Sequence, residues 1–136
     1  MSKINLINQR IALKSVDFKR FETSTTQPKL LLKDSIEDIV VNGQTISFTF
    51  SRSAHFEPDS LFSIKVEFIY IADVPEESIK AIDQDGKQLD VDYVRSISDK
   101  IINNTTIPSH ASLIIANNTS LNGASPLVTP PTFIKQ

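Results

Sequence analysis

Two histidines, His55 and His110, are the only imidazoles in the 136-residue chain. They are the natural candidates for acid–base chemistry near neutral pH. His110 stands beside Ser109 in a segment that reads as helix. Adjacent helical residues point in different directions, so the two do not make a nucleophile–base pair. His55 falls on the polar side of an alternating segment, where a surface role is the ordinary one. The carboxylates Glu76 with Glu77, and Asp83 with Asp85, lie in polar stretches and are expected to be solvated. Residues 83–86 (Asp-Gln-Asp-Gly) partly match a calcium loop, but Ala81 occupies the first ligand position and a plain turn is expected. Three glycines are too few for a phosphate-cradling loop, and the absence of cysteine removes thiolate catalysis, disulfides and cysteine metal sites. The residues point to no catalytic group, no metal site and no cofactor.

The elements that hold these residues read more clearly. Residues 10–21 alternate with a slip: Ile11 and Leu13 share one parity, Val16 and Phe18 the other. That is the signature of a β-bulge in an edge strand, or of a strand broken in two. After a polar connection containing Pro28, Leu30, Leu31 and Leu32 begin a second extended piece. Residues 34–38 are acidic and ambiguous. Ile39, Val40 and Val41 then lead into the hairpin turn Asn42-Gly43. Over residues 45–56, Ile46, Phe48, Phe50, Ala54 and Phe56 alternate with Ser47, Thr49, Ser51, Ser53 and His55. Over residues 61–74, Phe62, Ile64, Val66, Phe68, Tyr70, Ala72 and Val74 alternate with Ser63, Lys65, Glu67 and Asp73. Period two over this length predicts an antiparallel sheet with one buried and one polar face. The Phe residues are then sheet core, and only an uncovered remainder could bind anything.

Residues 75–90 read as a polar connection with a turn at 83–86. Val94, Ile97 and Ile101 repeat at helical spacing, and Asp90 or Asp92 could cap a helix running to about Asn103. Thr105 or Thr106 could cap a second helix over residues 107–118, with Pro108 in its first turn and Asn122-Gly123 as its stop. Residues 101–134 contain no Asp, Glu, Lys or Arg. A helix apolar on most sides is usually buried. The Pro-rich loop after it, with Leu127, Val128, Phe133 and Ile134, must cover a core or meet a partner.

Composition sets the outer bounds. The length predicts one domain, residues 1–136, able to bury about two thirds of its unfolded surface. A net charge of −2 without a basic block argues against nucleic acid as a partner. No apolar run approaches the ~20 residues of a membrane span, and the N-terminus lacks a signal-peptide run. A cytoplasmic protein without membrane insertion is expected. The Asn-x-Ser/Thr matches at Asn103, Asn104, Asn117 and Asn118 then read as cap and loop chemistry.

Both ends of the chain resemble one family. Residues 9–18 (Gln-Arg-Ile-Ala-Leu-Lys-Ser-Val-Asp-Phe) are similar to the first strand of the SecB export chaperones. In that family an Arg-Ile pair is followed by Lys and then by an Ile/Val-x-Phe strand end. Residues 107–115, opening with Ile107-Pro108, and residues 126–133 (Pro-Leu-Val-Thr-Pro-Pro-Thr-Phe) resemble the family's long helix and the connection after it. The motifs are short, but their order and spacing agree across nearly the whole chain.

The resemblance implies an α+β fold, a four-stranded antiparallel sheet with C-terminal helices packed on one side. It implies a tetramer, a dimer of dimers, with the long helix at an interface that would use Ile107, Ala111, Ile114 and Ile115. It implies a nucleotide-independent holdase that keeps unfolded client polypeptides in apolar grooves. From the strands, Phe48, Phe50, Phe56 and Phe62 would line such grooves. From the helix end and loop, Leu121, Leu127, Val128, Phe133 and Ile134 would join them. The departures are specific. Ser15 and Lys19 stand where the family carries acidic contacts to the motor SecA, which should weaken that docking. The chain stops where a second helix and a zinc-binding tail are expected, so the groove lid should be short. Members of the family also accompany toxin–antitoxin pairs. A chaperone for many clients, a module dedicated to one partner and an enzyme with an unrecognised site are the competing readings. Suppression of aggregation of unrelated clients without ATP separates them.

Overall fold

The computed structural model describes residues 5–22, 27–121 and 125–135. Four strands come first: β1 (Ile7–Arg20), β2 (Lys29–Asn42), β3 (Thr45–Glu57) and β4 (Phe62–Asp73). Three helices follow: α1 (Glu76–Gln84), α2 (Val91–Asn103) and α3 (Ile107–Leu121). The strands form one antiparallel sheet in the order β1-β4-β3-β2. All three helices pack on one side of it, as the α+β pattern predicts.

The alternation in β3 and β4 decides which side is covered. Phe48, Phe50, Val66 and Tyr70 point under the helices and meet Val94 and Ile102 of α2 and Ile107, Ala111 and Ile115 of α3. Phe48 stacks on Tyr70 with ring centroids 5.1 Å apart. The opposite face is polar and hydrogen-bonded across strands. Ser35 and Ser51 hydroxyls lie 2.6 Å apart, and Ser15 Oγ donates to Glu67 Oε1 at 2.8 Å.

The phase slip in β1 is a register shift between Leu13 and Ser15, so the strand is continuous and bulged. A similar shift between Glu37 and Val40 lets β2 run unbroken through the acidic stretch, with Asp38 at a positive φ of 55°. Gly43, at φ 63°, supplies the left-handed residue of the β2–β3 turn.

Helix α2 starts where a cap was expected: Asp90 Oδ1 accepts from the Tyr93 backbone N–H at 2.8 Å. Thr105 Oγ1 accepts from the Ile107 N–H at 3.2 Å at the start of α3. That helix runs to Leu121, one turn beyond its sequence-based limit. Its expected stop at Asn122-Gly123 lies outside the described residues.

Helix α1 is a correction to the sequence reading, which gave residues 75–90 as a connection. It has two carboxylates in its first turn, Glu76 and Glu77, which favour a helix N-terminus. Only Ile79 and Ile82 turn inward as large apolar residues, too few to register as a period. The expected turn at residues 83–86 is the end of this helix. Gly86, at φ 73°, donates its N–H to Asp83 O at 3.0 Å.

Candidate functional site

Position 52 breaks the apolar face of β3. Its neighbours of the same parity are Phe50 and Ala54, yet it is an arginine with no exposed surface. Directly opposite on β2, in the corresponding break between Leu32 and Ile36, lies Asp34. The two form a bidentate pair: Arg52 Nε donates to Asp34 Oδ1 and Nη2 to Asp34 Oδ2, both at 2.8 Å. A buried charge is tolerated when paired and fully hydrogen-bonded. Here the remaining hydrogen-bonding capacity is used mainly by residues 129–134, with a longer contact of 3.5 Å from Arg52 Nη1 to the Pro108 carbonyl on α3.

Those residues are held almost entirely through main-chain atoms. Arg52 Nη1 donates to the carbonyl of Pro130 and, at 3.0 Å, to Thr129 Oγ1. Arg52 Nη2 donates to Thr132 O at 2.7 Å. Asp34 Oδ2 accepts from the Ile134 N–H at 2.8 Å. The segment first runs back along α3, with the Leu127 N–H donating to Thr119 Oγ1 at 2.9 Å and Ser112 Oγ donating to Thr129 O at 2.8 Å. It then crosses to α2, where the Phe133 N–H donates to Asn103 Oδ1 at 2.7 Å and Lys135 pairs with Asp99 at 3.4 Å. An irregular segment thus gains the fixed backbone that a strand or helix would have.

The clamp sorts the side chains expected to bind a client. Phe133 lies against Phe50, with centroids 5.9 Å apart, and Leu127 packs on the same core. Val128 and Leu121 point outward, 78% and 84% exposed. Ile134 and Phe56 are half-buried. Phe48 and Phe50 are buried in the core beneath the helices, and Phe62 is buried against Phe18 and Phe56. The helices cover the central parts of β3 and β4, which the strand pattern alone did not determine.

The expected oligomer residues divide in the same way. Ile107, Ala111 and Ile115 have no exposed surface and face the sheet. Ile114 is half-buried, and the outer stripe of α3 is His110, Leu113, Asn117 and Leu121. A contact made by this helix would use that stripe, led by Leu113 at 59% exposure. The helix-side residues of edge strand β1, including Ile11 and Leu13, are exposed beside it.

The two histidines do not converge. His55 sits on the polar sheet face, 3.7 Å from Glu57, and His110 on the outside of α3. Among the described residues, no three metal-ligating side chains come together. None of the described helices is long and apolar enough to cross a membrane. Asp73 on β4 is held below the usual carboxylate range by hydrogen bonds from Asn8 and Thr45, a structural tie between strands.

Arg52 and Asp34 are the residues that sequence reading missed. The signal was present: each charge occupies an apolar-parity position, and two such breaks on successive strands can be register partners. The ambiguous reading of residues 34–38 hid that pairing.

No protein-family model matches the chain, and no curated protein matches it. Among solved structures it is similar to the SecB-like chaperone Rv1957 of Mycobacterium tuberculosis, solved in complex with a ChAD peptide from the Rv1956 HigA1 antitoxin. The match has a TM-score of 0.53 at 10% identity and covers 93% of this chain and 85% of that one. The fold is therefore SecB-like.

Proposed function

We propose that the protein is a nucleotide-independent, SecB-like holdase that binds unfolded polypeptides on the apolar surface presented by its C-terminal segment. The observation that carries this reading is the Arg52–Asp34 clamp. It fixes an uncharged segment mostly through main-chain contacts and leaves Val128 outward beside α3, whose last residue Leu121 is exposed as well. A surface already rigid before binding lowers the ordering cost of association. The peptide bound by the M. tuberculosis structure supports the same class of ligand. The test is suppression of aggregation of several unrelated unfolded proteins without ATP. Suppression of all of them agrees with the proposal; suppression of none ends it.

A second reading is favoured by the same neighbour, whose bound peptide comes from an antitoxin. On that reading the chain is the dedicated chaperone of a toxin–antitoxin pair, or a module for one partner. Protection of a single client and failure with all others would select it.

Assembly and cellular role belong to the proposal. The uncharged outer stripe of α3 and the exposed edge of β1 suit contacts between copies, and a tetramer built from dimers in the cytoplasm fits the holdase. Export through SecA fits less well. Ser15 is already bonded to Glu67, and Lys19 adds positive charge on the polar sheet face. Weak or undetectable SecA binding at physiological salt is expected; submicromolar binding unaffected by Lys19→Glu would show that the family's interface has been carried over wrongly.

A further inference from the structure

A cavity of about 740 Å³ opens between the N-terminal segment, β4, α1 and α2, away from the clamp. Leu6, Ile82, Ile97, Ile101 and the ring of Tyr70 give it an apolar lining. Lys87 and Lys100 face it together with Asp85, so its charge is mixed. Asn5, Gln9 and Asn104 add side-chain amides. The walls are fixed: the Asn5 N–H donates to Ser78 Oγ at 3.2 Å, and the Tyr70 hydroxyl donates to Gln9 Oε1 at 2.9 Å. Burial pushes the Tyr70 pKa up to about 12, so the phenol adds no charge at neutral pH.

The volume lies in the usual range for ligand sites. A free anion would favour cations without an opposing carboxylate, and a purely apolar molecule would leave the amides without partners. An amide side chain both donates and accepts. So does each peptide unit of a chain, whatever its sequence. Helix α2 is a common wall: Ile97 and Lys100 face the cavity, while Asp99 and Asn103 hold the C-terminal segment on another side. A helix is about 10–12 Å across, which roughly four extended residues can span.

We infer that this cavity is a second polypeptide site, taking one or two large apolar side chains from an extended, near-neutral stretch of the same unfolded chain that meets the C-terminal segment. The inference rests on the holdase reading, and its test separates the two. The chain has no cysteine, so Ser96→Cys at the cavity rim and Val128→Cys on the segment each give a unique attachment point for a benzophenone. The probe is reduced, carbamidomethylated lactalbumin, presented to the whole 136-residue chain. Crosslinking to the probe from both positions is expected, and Ser96→Trp, which places an indole at the cavity mouth, should weaken probe binding at least tenfold. Crosslinking from position 128 but not 96, with Ser96→Trp binding normally, would overturn the cavity site and leave the holdase standing. Crosslinks from position 96 only to the protein's own chains would also overturn it. No crosslink to the probe from either position would remove the holdase reading itself. The crosslinking arm does not depend on how well Ser96→Trp folds.

Discussion

At the scale of single residues, the Arg52–Asp34 pair decides more than its own strands. Asp34→Ala leaves a buried guanidinium without its carboxylate and is expected to cost about 3–5 kcal/mol in denaturant unfolding. Arg52→Met with Asp34→Leu removes both charges and should recover much of that loss. The carbonyl of Thr132 and the N–H of Ile134 then lose their partners, so hydrogen exchange at Ile134 should rise even where global stability returns. Unchanged exchange there would mean that the clamp does not hold the segment. Tyr70 gives a separate reading of burial. Its pKa is pushed up to about 12, against about 10 for an unfolded tyrosine. The unfolded chain therefore releases this proton first. The contribution is complete below pH 10 and is lost as pH rises from 10 to 12. Burial and the Asp85 carboxylate raise Tyr93 as well, by less, so ultraviolet titration should show Tyr70 as the later of the two tyrosines, together with a fall in melting temperature across that window; Tyr70→Phe should remove its part of the fall.

At the scale of elements, much was legible because two periods are hard to confuse. The long alternation of β3 and β4, broken only at Arg52, gave the sheet, and the slip between Leu13 and Val16 gave the bulge in β1. Helix α1 was not legible, since two inward isoleucines in nine residues make no period. The faces of α3 were not legible either. An uncharged helix carries no polar stripe to mark its outside, so Ile107, Ala111 and Ile115 could equally have faced a partner. They face the sheet, and the consequence is a contrast between neighbours. Ile115→Glu buries a charge and should unfold the protein. Leu113→Glu, on the outer stripe, should leave circular dichroism unchanged and shift light scattering toward smaller species. If Leu113→Glu leaves the mass unchanged, this helix makes no contact between copies.

At the scale of the whole molecule, the proposed holdase uses the sheet as a platform and the segment 125–135 as the presented surface. The site was half legible: the uncharged tail marked where it lies, but only the register of Asp34 with Arg52 shows why it is fixed and which side chains turn outward. Leu127 and Phe133 pack on the core, so truncating them would lower stability and affinity together. Leu121 and Val128 do not have that ambiguity. Burying each against a client is worth about 1.5–3 kcal/mol gross, and a tenfold change in affinity needs about 1.4 kcal/mol. A long chain that reaches several such surfaces in an assembly gains further through effective concentration, so it should bind far more tightly than a short peptide cut from it. The decisive measurement is the affinity for a long unfolded polypeptide without nucleotide, compared between the natural protein and Leu121→Ser with Val128→Ser, with melting temperatures taken on the same preparations. The expected result is binding by the natural protein, at least tenfold weaker binding by the variant, and melting temperatures that agree. Equal affinities, or no binding by either protein, would contradict the account.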